Sequence, residues 1–243
     1  MVTDKDLISK LKMLLKQDCY VKQSLNYMPN DNENWFCDIV HQNKKYRALY
    51  FENYRSLEYN NLEEIDDYLC QKVNKFIKKK VYFFEYVPVT WNTLKEDKNT
   101  KTLITKQILD SRHFNDSLVD ENHSYPNEYK HSSLKVWIEK SLRKTLFSDW
   151  KELKILEIRL ANFDEFEAIQ KLNFHQVKPT DYAKAQGVYC TGKYAAWWID
   201  KKGETNNLVH YITAEGIISP PGQPDSIVTR TDGGIRILLK IQK

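Results

Sequence analysis

All the glycines of this 243-residue chain lie in its last quarter, which limits the folds that the chain can adopt. Seven glycines occur at or after Gly187, and none precedes it. Pro220, Pro221 and Pro224 lie in the same region. Because glycine supplies positive φ for tight turns and proline interrupts regular structure, the tail is predicted to consist of short strands joined by turns.

The spacing of apolar residues predicts the helices and strands. Helical spacing predicts helices at Thr3–Gln17, at Leu62–Lys79, from Ser132 or Ser133 to Phe147, and at Asp164–Lys171. Alternating or continuous apolar runs predict strands at Trp35–Val40, Lys45–Phe51, Val81–Trp91, Thr100–Ile108, Ile155–Leu160, Tyr194–Ile199, Leu208–Thr213, Gly216–Ser219 and Gly234–Ile241. The two kinds of element are interleaved without regular β–α–β alternation, so the predicted fold class is α+β.

The chain is long enough to bury one sizeable core. We expect residues 1–243 to form a single α+β domain, with residues 1–80 as an N-terminal helix-and-strand extension and residues 81–243 as the core. No helix is predicted after Lys171, so the tail is expected to be a small, mostly antiparallel sheet.

The sequence allows more specific predictions for several individual residues. Trp197 and Trp198 point to opposite faces of a strand, so at least one is predicted to fill a core, with ligand stacking as the alternative. Trp137 lies on the apolar face of the third helix and is predicted to be buried. Gly216 is predicted to take positive φ in a hairpin turn, and a second turn is predicted at Asp232–Gly234.

Composition and charge exclude several classes of protein. Aromatic residues make up 13% of the chain, which argues against disorder. The 37 basic and 33 acidic residues nearly balance, so an electrostatic nucleic-acid binder is disfavoured and no specific nucleic-acid partner is expected. The basic run Lys78–Lys80 is interpreted as the end of a helix, where cations complement the helix dipole.

No apolar run is long enough for a membrane helix, so no membrane insertion is expected. The first residues do not form a signal peptide, and the expected location is cytoplasmic by default, with a virion or non-classical export as alternatives. The four cysteines are scattered, which favours free thiols over disulfides or a zinc site.

The sequence contains no GxSxG nucleophile motif, no HExxH zinc-hydrolase motif and no phosphate-binding P-loop. No catalytic residue, metal or cofactor is therefore predicted. Two groups approximate a metal site, namely His113 with His123 in the polar segment Ser111–Lys130, and Asp200 and Glu204 with the pair Asn206–Asn207. Neither has regular ligand spacing, and a solvated loop is the preferred interpretation of both.

Five motifs occur in a characteristic order, at Lys45–Arg55, Val81–Trp91, Asp181–Tyr189, Trp197–Trp198 and Asp232–Arg236. In this order they resemble a bacterial and phage domain family of unknown function, over nearly the whole chain from Lys45 onward. The resemblance implies a C-type-lectin-like fold for the core, similar to the ligand-displaying domains of retroelement-diversified proteins and to formylglycine-generating enzymes. The chain departs from the family after the tryptophan pair, where Ile199–Gly203 replaces the family's LRSPG.

On such a scaffold, the loop after Trp198 and the loop Pro220–Arg230 are expected to lie side by side at one end of the sheet and to contact a partner. The candidate contact residues are Asp200, Lys201, Lys202, Asn206, Asn207, Asp225 and Arg230. The predicted function is a non-catalytic recognition module for a protein or a glycan. The alternatives are a structural subunit of a phage particle or secretion apparatus, and an enzyme of unknown chemistry.

Overall fold

A computed structural model describes residues 35–50, 66–75, 81–118, 126–220 and 227–243, together with Ser9, Met13, Tyr20–Val21 and Asn26–Tyr27. Helices and largely antiparallel sheets are mixed in these residues, which confirms the predicted α+β class. The chain divides into two compact units, Met1–Pro88 and Val89–Lys243. Most of the predicted helix Thr3–Gln17, as well as Asp225 and His123, lies outside the described residues.

The first unit contains an antiparallel sheet whose strands β3 and β4 form a hairpin at the predicted place. Its strands are β1 (Tyr20–Val21), β2 (Asn26–Tyr27), β3 (Trp35–His41), β4 (Lys44–Tyr50) and β5 (Val81–Glu85). The hairpin turn needs positive φ, and Gln42 (φ 48°) and Asn43 (φ 63°) supply it in this glycine-free half of the chain. Helix α1 (Asp67–Asn74) lies within the predicted second helix and begins after Asp66, whose side chain accepts a hydrogen bond from the Leu69 amide.

The second unit contains two four-stranded sheets and a small hairpin. One sheet has the antiparallel order β6–β7–β15–β9, and the other has the order β13–β12–β14–β8, in which β12 and β14 are parallel. The strands are β6 (Trp91–Glu96), β7 (Thr100–Thr105), β8 (Asp110–Ser111), β9 (Ile155–Arg159), β10 (Cys190–Thr191), β11 (Tyr194–Ala195), β12 (Trp197–Lys202), β13 (Val209–Ile212), β14 (Gly234–Ile235) and β15 (Leu238–Gln242).

The third predicted helix begins where its cap predicts, because the Ser132 hydroxyl accepts the Lys135 amide. It is built from α2 (Ser133–Trp137), a π-helical segment (Ile138–Leu142) and α3 (Arg143–Phe147). A short 3₁₀ turn, Tyr129–His131, precedes it.

Two further helices follow. Helix α4 (Phe163–Lys171) starts at a capping box formed by Asn162 and Glu165, in agreement with the predicted helix there. Helix α5 (Asp181–Ala185) contradicts the prediction that helices stop before Lys171. It forms because the Thr180 hydroxyl accepts the Ala183 amide, a cap that the apolar spacing alone does not reveal.

Strand β12 separates two hydrophobic cores. One contains Trp197, whose ring meets Phe166 edge-on at 6.2 Å, and the other contains Trp198, whose ring meets Phe114 at 5.9 Å. Trp197 is 0% exposed and Trp198 is 1% exposed. The prediction that at least one of the two tryptophans fills a core is therefore confirmed, and both of them do so.

Three predicted strands are each divided in the structure. The predicted strand Val81–Trp91 covers β5 and only the first residue of β6, which belongs to the other unit, and Pro88 lies between them without an amide proton for a ladder. The predicted strand Tyr194–Ile199 is divided between β11 and β12, which belong to different sheets. The predicted strand Gly234–Ile241 is β14 and β15, which belong to different sheets. Periodicity cannot show where a strand changes sheet, because the residues remain apolar on both sides.

Trp137 is half-buried at the edge of the Trp198 core, so the prediction of full burial is wrong. The guanidinium of Arg112 lies 4.1 Å from the centre of its ring. The positive charge over the indole face stabilises the ring at the edge of the apolar core.

Gly216 takes φ +81° in its turn, as predicted. Gly233 is needed for a different reason, because a Cβ at this position would lie 2.0 Å from the Trp198 ring. The second predicted turn therefore needs glycine at position 233 because no side chain fits there.

Candidate functional site

Two polar residues of the family-like motifs, Arg236 and Gln186, belong to the scaffold. Arg236 is fully buried, donates from Nε to the Thr105 carbonyl (3.0 Å) and from Nη1 to the Phe174 carbonyl (2.6 Å), and lies 4.9 Å from the Trp197 ring centre. Burial lowers the pKa of the Arg236 guanidinium to about 9, so it remains charged at neutral pH. Gln186 is also buried and donates to the Tyr182 hydroxyl at 2.7 Å. Any contact with a partner is left to the loops.

Three loops meet at one end of the β12 sheet, and we call residues 126–131, 202–208 and 227–230 the loop cluster. The Asn127 side chain donates to the Thr205 carbonyl at 2.9 Å, and the Val228 amide donates to the Asn207 carbonyl at 3.0 Å. Leu208 and Ile227 add an isolated β-bridge. The loop after Trp198 and the described end of the loop Pro220–Arg230 therefore lie side by side.

Glu128 is the electrostatic centre of the loop cluster. Its carboxylate pairs with Lys202 and, at 3.0 Å, with Lys130, and His131 lies 3.8 Å away. The hydrogen bond from Lys202, followed by that from Lys130, lowers the pKa of Glu128 to about 2. The cluster therefore carries a permanent carboxylate between two ammonium groups.

Lys202, Asn206 and Asn207 belong to the loop cluster, as their order in the sequence predicts. Lys202 and Asn206 are exposed, and the Asn207 side chain accepts a hydrogen bond from the Thr205 hydroxyl at 2.7 Å. Their polar groups are thus held by the loops while still reaching solvent.

Asp200 and Lys201 lie on β12 outside the cluster. The ammonium group of Lys201 lies 3.7 Å from the centre of the Phe163 ring. Asp200 is half-buried, its amide donates to the Ala161 carbonyl at 2.9 Å, and burial raises the pKa of its carboxyl. These two residues are therefore held by α4 and β9 neighbours rather than by the loops.

Arg230 closes the loop cluster on another side. Its guanidinium pairs with both oxygens of Asp232, with Nη2 at 2.7 Å from Oδ2, and lies 5.2 Å from the centre of the Tyr189 ring. Tyr189 is 49% exposed. An aromatic face and a charged pair thus border the loops.

Asn127, Glu128 and Tyr189 are site residues that the sequence analysis does not single out. Glu128 falls in the polar segment Ser111–Lys130, where no periodicity distinguishes one residue from the next. Its role depends on Lys202, which lies far away in the chain and close in the fold.

The Cys70 thiol is buried and the Cys190 thiol is half-buried. Neither is in a disulfide, as predicted, and burial raises the pKa of Cys190. The described residues include no group of three or more His, Cys, Asp or Glu side chains positioned to hold a metal ion. In the same residues, no helix is both long enough and apolar enough to cross a membrane.

Comparisons with protein-family models, with curated proteins and with solved structures find no match. The function therefore has to be argued from the geometry of the chain itself.

Proposed function

We propose that the protein is a recognition module that binds a polar partner, a protein surface or a glycan, through the loop cluster. The observation that carries this proposal is the joining of three distant chain segments by the Asn127–Thr205 and Val228–Asn207 hydrogen bonds. Loops fixed on a rigid scaffold are where recognition residues usually lie. Loops held in this way lose little conformational entropy when a partner binds.

The scaffold supports the same proposal. Several of the motif residues that resemble the lectin-like family are buried, namely both tryptophans of β12, Gln186 and Arg236. Strand β15 pairs with β7, so the first and last parts of the second unit meet in one sheet. We infer that this unit is a C-type-lectin-like core and that the residues between its ends are available for display.

The chemistry of the loop cluster favours a polar partner. Amide groups at Asn206 and Asn207, ammonium groups at Lys130 and Lys202 and the Glu128 carboxylate supply both donors and acceptors. The exposed ring of Tyr189 adds one flat apolar face beside them. Hydroxyl-rich or mixed-charge surfaces match this combination.

Binding to glycan and peptide arrays tests the proposal. Lys130→Glu with Asn206→Arg alters two exposed side chains of the loop cluster. Lys98→Glu with Asn99→Arg makes the same changes at two exposed residues of the β6–β7 hairpin and is the matched control. The proposal expects array ligands that the unaltered protein and the control bind and that the loop variant loses, with a single cooperative melt for each of the three proteins.

Two results from the arrays would contradict the proposal. The proposal is wrong if neither array yields a ligand, or if the loop variant retains every ligand that the control binds.

A further inference from the structure

A cleft on the second unit lies outside the loop cluster. It has a volume of about 410 Å³, within the range of small-ligand sites. The π-helical segment, helix α3 and the turn that follows it form most of its walls, and its principal lining residues are Lys140, Arg143, Lys144, Phe147, Trp150 and Lys151.

The cleft concentrates positive charge. Lys140, Arg143, Lys144 and Lys151 are all exposed, and Lys140 lies three residues before Arg143 and four before Lys144 in the same helical segment. Within the part of the chain that the structure describes, none of the four forms an ion pair. The one carboxylate in the lining, Glu139, lies 3.3 Å from the Lys135 ammonium group.

An exposed indole lies among these cations. Trp150 is 65% exposed, although indole is among the most favourable groups to bury. Its backbone is fixed, because its amide donates to the Phe147 carbonyl at 3.1 Å and its carbonyl accepts the Leu153 amide at 3.2 Å. Beneath it, the Phe147 ring stacks on Trp91 at 6.3 Å. The ring is therefore held at the cleft by an ordered turn.

We propose that this cleft binds single-stranded nucleic acid, with phosphates on the four cations and a base stacked on Trp150. Sequence-tolerant single-strand sites combine a cationic groove with an aromatic stacking face, which is the combination present here. An acidic peptide would satisfy the cations and leave the indole without a planar partner. A duplex keeps its base faces stacked and would engage only the cations.

The near balance of charge over the whole chain does not oppose this site, because phosphate contacts depend on the local field. The cleft contacts phosphates and base faces, which carry little sequence information. The expectation that the protein has no specific nucleic-acid partner is therefore compatible with it. The site is also independent of the loop cluster.

Fluorescence anisotropy with a labelled oligothymidylate of about 12 nucleotides tests the proposal, with NaCl at about 50 and 200 mM. Each phosphate contact contributes about −0.7 to the slope of log affinity against log salt. We expect Arg143→Ala with Lys144→Ala to weaken binding and to make the slope shallower by about 1.4, the loss of two contacts. Trp150→Ala is expected to weaken binding about tenfold without changing the slope.

Matched controls separate the site from general charge and from misfolding. Lys98→Ala with Lys106→Ala removes two exposed cations elsewhere on the same unit, and Tyr68→Ala removes a ring that is 67% exposed. Both controls, and the Lys130→Glu and Asn206→Arg loop variant, are expected to bind the oligonucleotide as the unaltered protein does. All cleft residues to be changed are exposed, so melting temperatures are expected to be unchanged.

Three outcomes would overturn the proposal. The first is an absence of oligonucleotide binding at the lower salt concentration. The second is equal binding of heparin with no dependence on Trp150, which would indicate a general polyanion surface. The third is competition by thymidine monophosphate at the affinity of the oligonucleotide, which would indicate a site for a free nucleotide.

Discussion

Trp197 and Trp198 are adjacent in β12, yet their indole rings lie in two different hydrophobic cores. Each ring nitrogen donates to a backbone carbonyl, that of Trp197 to His175 (3.3 Å) and that of Trp198 to Arg112 (2.7 Å). No polar group of either side chain is therefore left unsatisfied by burial. A single dipeptide thus fixes both faces of the central strand.

Replacing either buried tryptophan by alanine is expected to destabilise the second unit strongly. Trp197→Ala and Trp198→Ala should each lower the free energy of unfolding by about 3–5 kcal/mol, the usual cost of truncating a buried large aromatic. Trp150→Ala should change it by no more than about 0.5 kcal/mol, because the ring is exposed. Urea unfolding followed by circular dichroism measures the differences, and equal values for the three variants would contradict the two-core packing.

The glycine beneath Trp198 is expected to tolerate no side chain. Gly233→Ala places a Cβ 2.0 Å from the indole and should cost about 3 kcal/mol of stability. Gly192→Ala is the control, because its Cβ would meet nothing within 4 Å and only its φ of +60° is strained. The control should cost about 1 kcal/mol. A control as damaging as Gly233→Ala would contradict the explanation by lack of space at Gly233.

Glu128 is expected to make stability depend on acid pH. Its pKa is about 2 in the folded chain against an ordinary value of 4.5, so its contribution is complete above 4.5 and is lost as the pH falls toward 2. Glu128→Gln should therefore melt at a lower temperature than the unaltered protein at pH 6 and at the same temperature near pH 2. Thermal melts over this range provide the measurement, and Glu152→Gln, at an exposed position, is the control. A gap that stays constant with pH would show that the ion pairs are not the cause.

The second unit is expected to fold by itself. Both tryptophan cores consist of residues after Val89, and residues 86–90 form no strand between β5 and β6. A fragment of residues 89–243 should show one cooperative melt at nearly the temperature of the same unit in the full chain. If the fragment is unfolded, residues 1–243 form one domain, as the sequence alone predicts.

Features that depend on neighbouring residues were accessible from the sequence. The start of the third predicted helix is one, because the Ser132 hydroxyl accepts the Lys135 amide three residues away. The positive φ of Gly216 is another. In each case the physical cause lies within one turn of the chain.

Features that depend on distant partners were not accessible. Glu128 becomes a site residue through Lys202, and the Trp137 ring lies against the Arg112 guanidinium, which is distant in the sequence. The basic cleft is of the same kind, since Lys151 joins the helical cations only after the chain turns back at Trp150. The nearly balanced charge of the whole chain gives no sign of such a local concentration of cations.

The position of β15 between β7 and β9 has a consequence for synthesis. The ribosome synthesises β6, β7 and β9 before the five residues of β15, so the sheet lacks its inner strand until β15 emerges. Until then the facing edges of β7 and β9 expose unpaired amides and carbonyls, which other nascent chains can join. This sheet therefore cannot complete its pairing before β15 is synthesised, and the need for chaperones should be greatest in that interval.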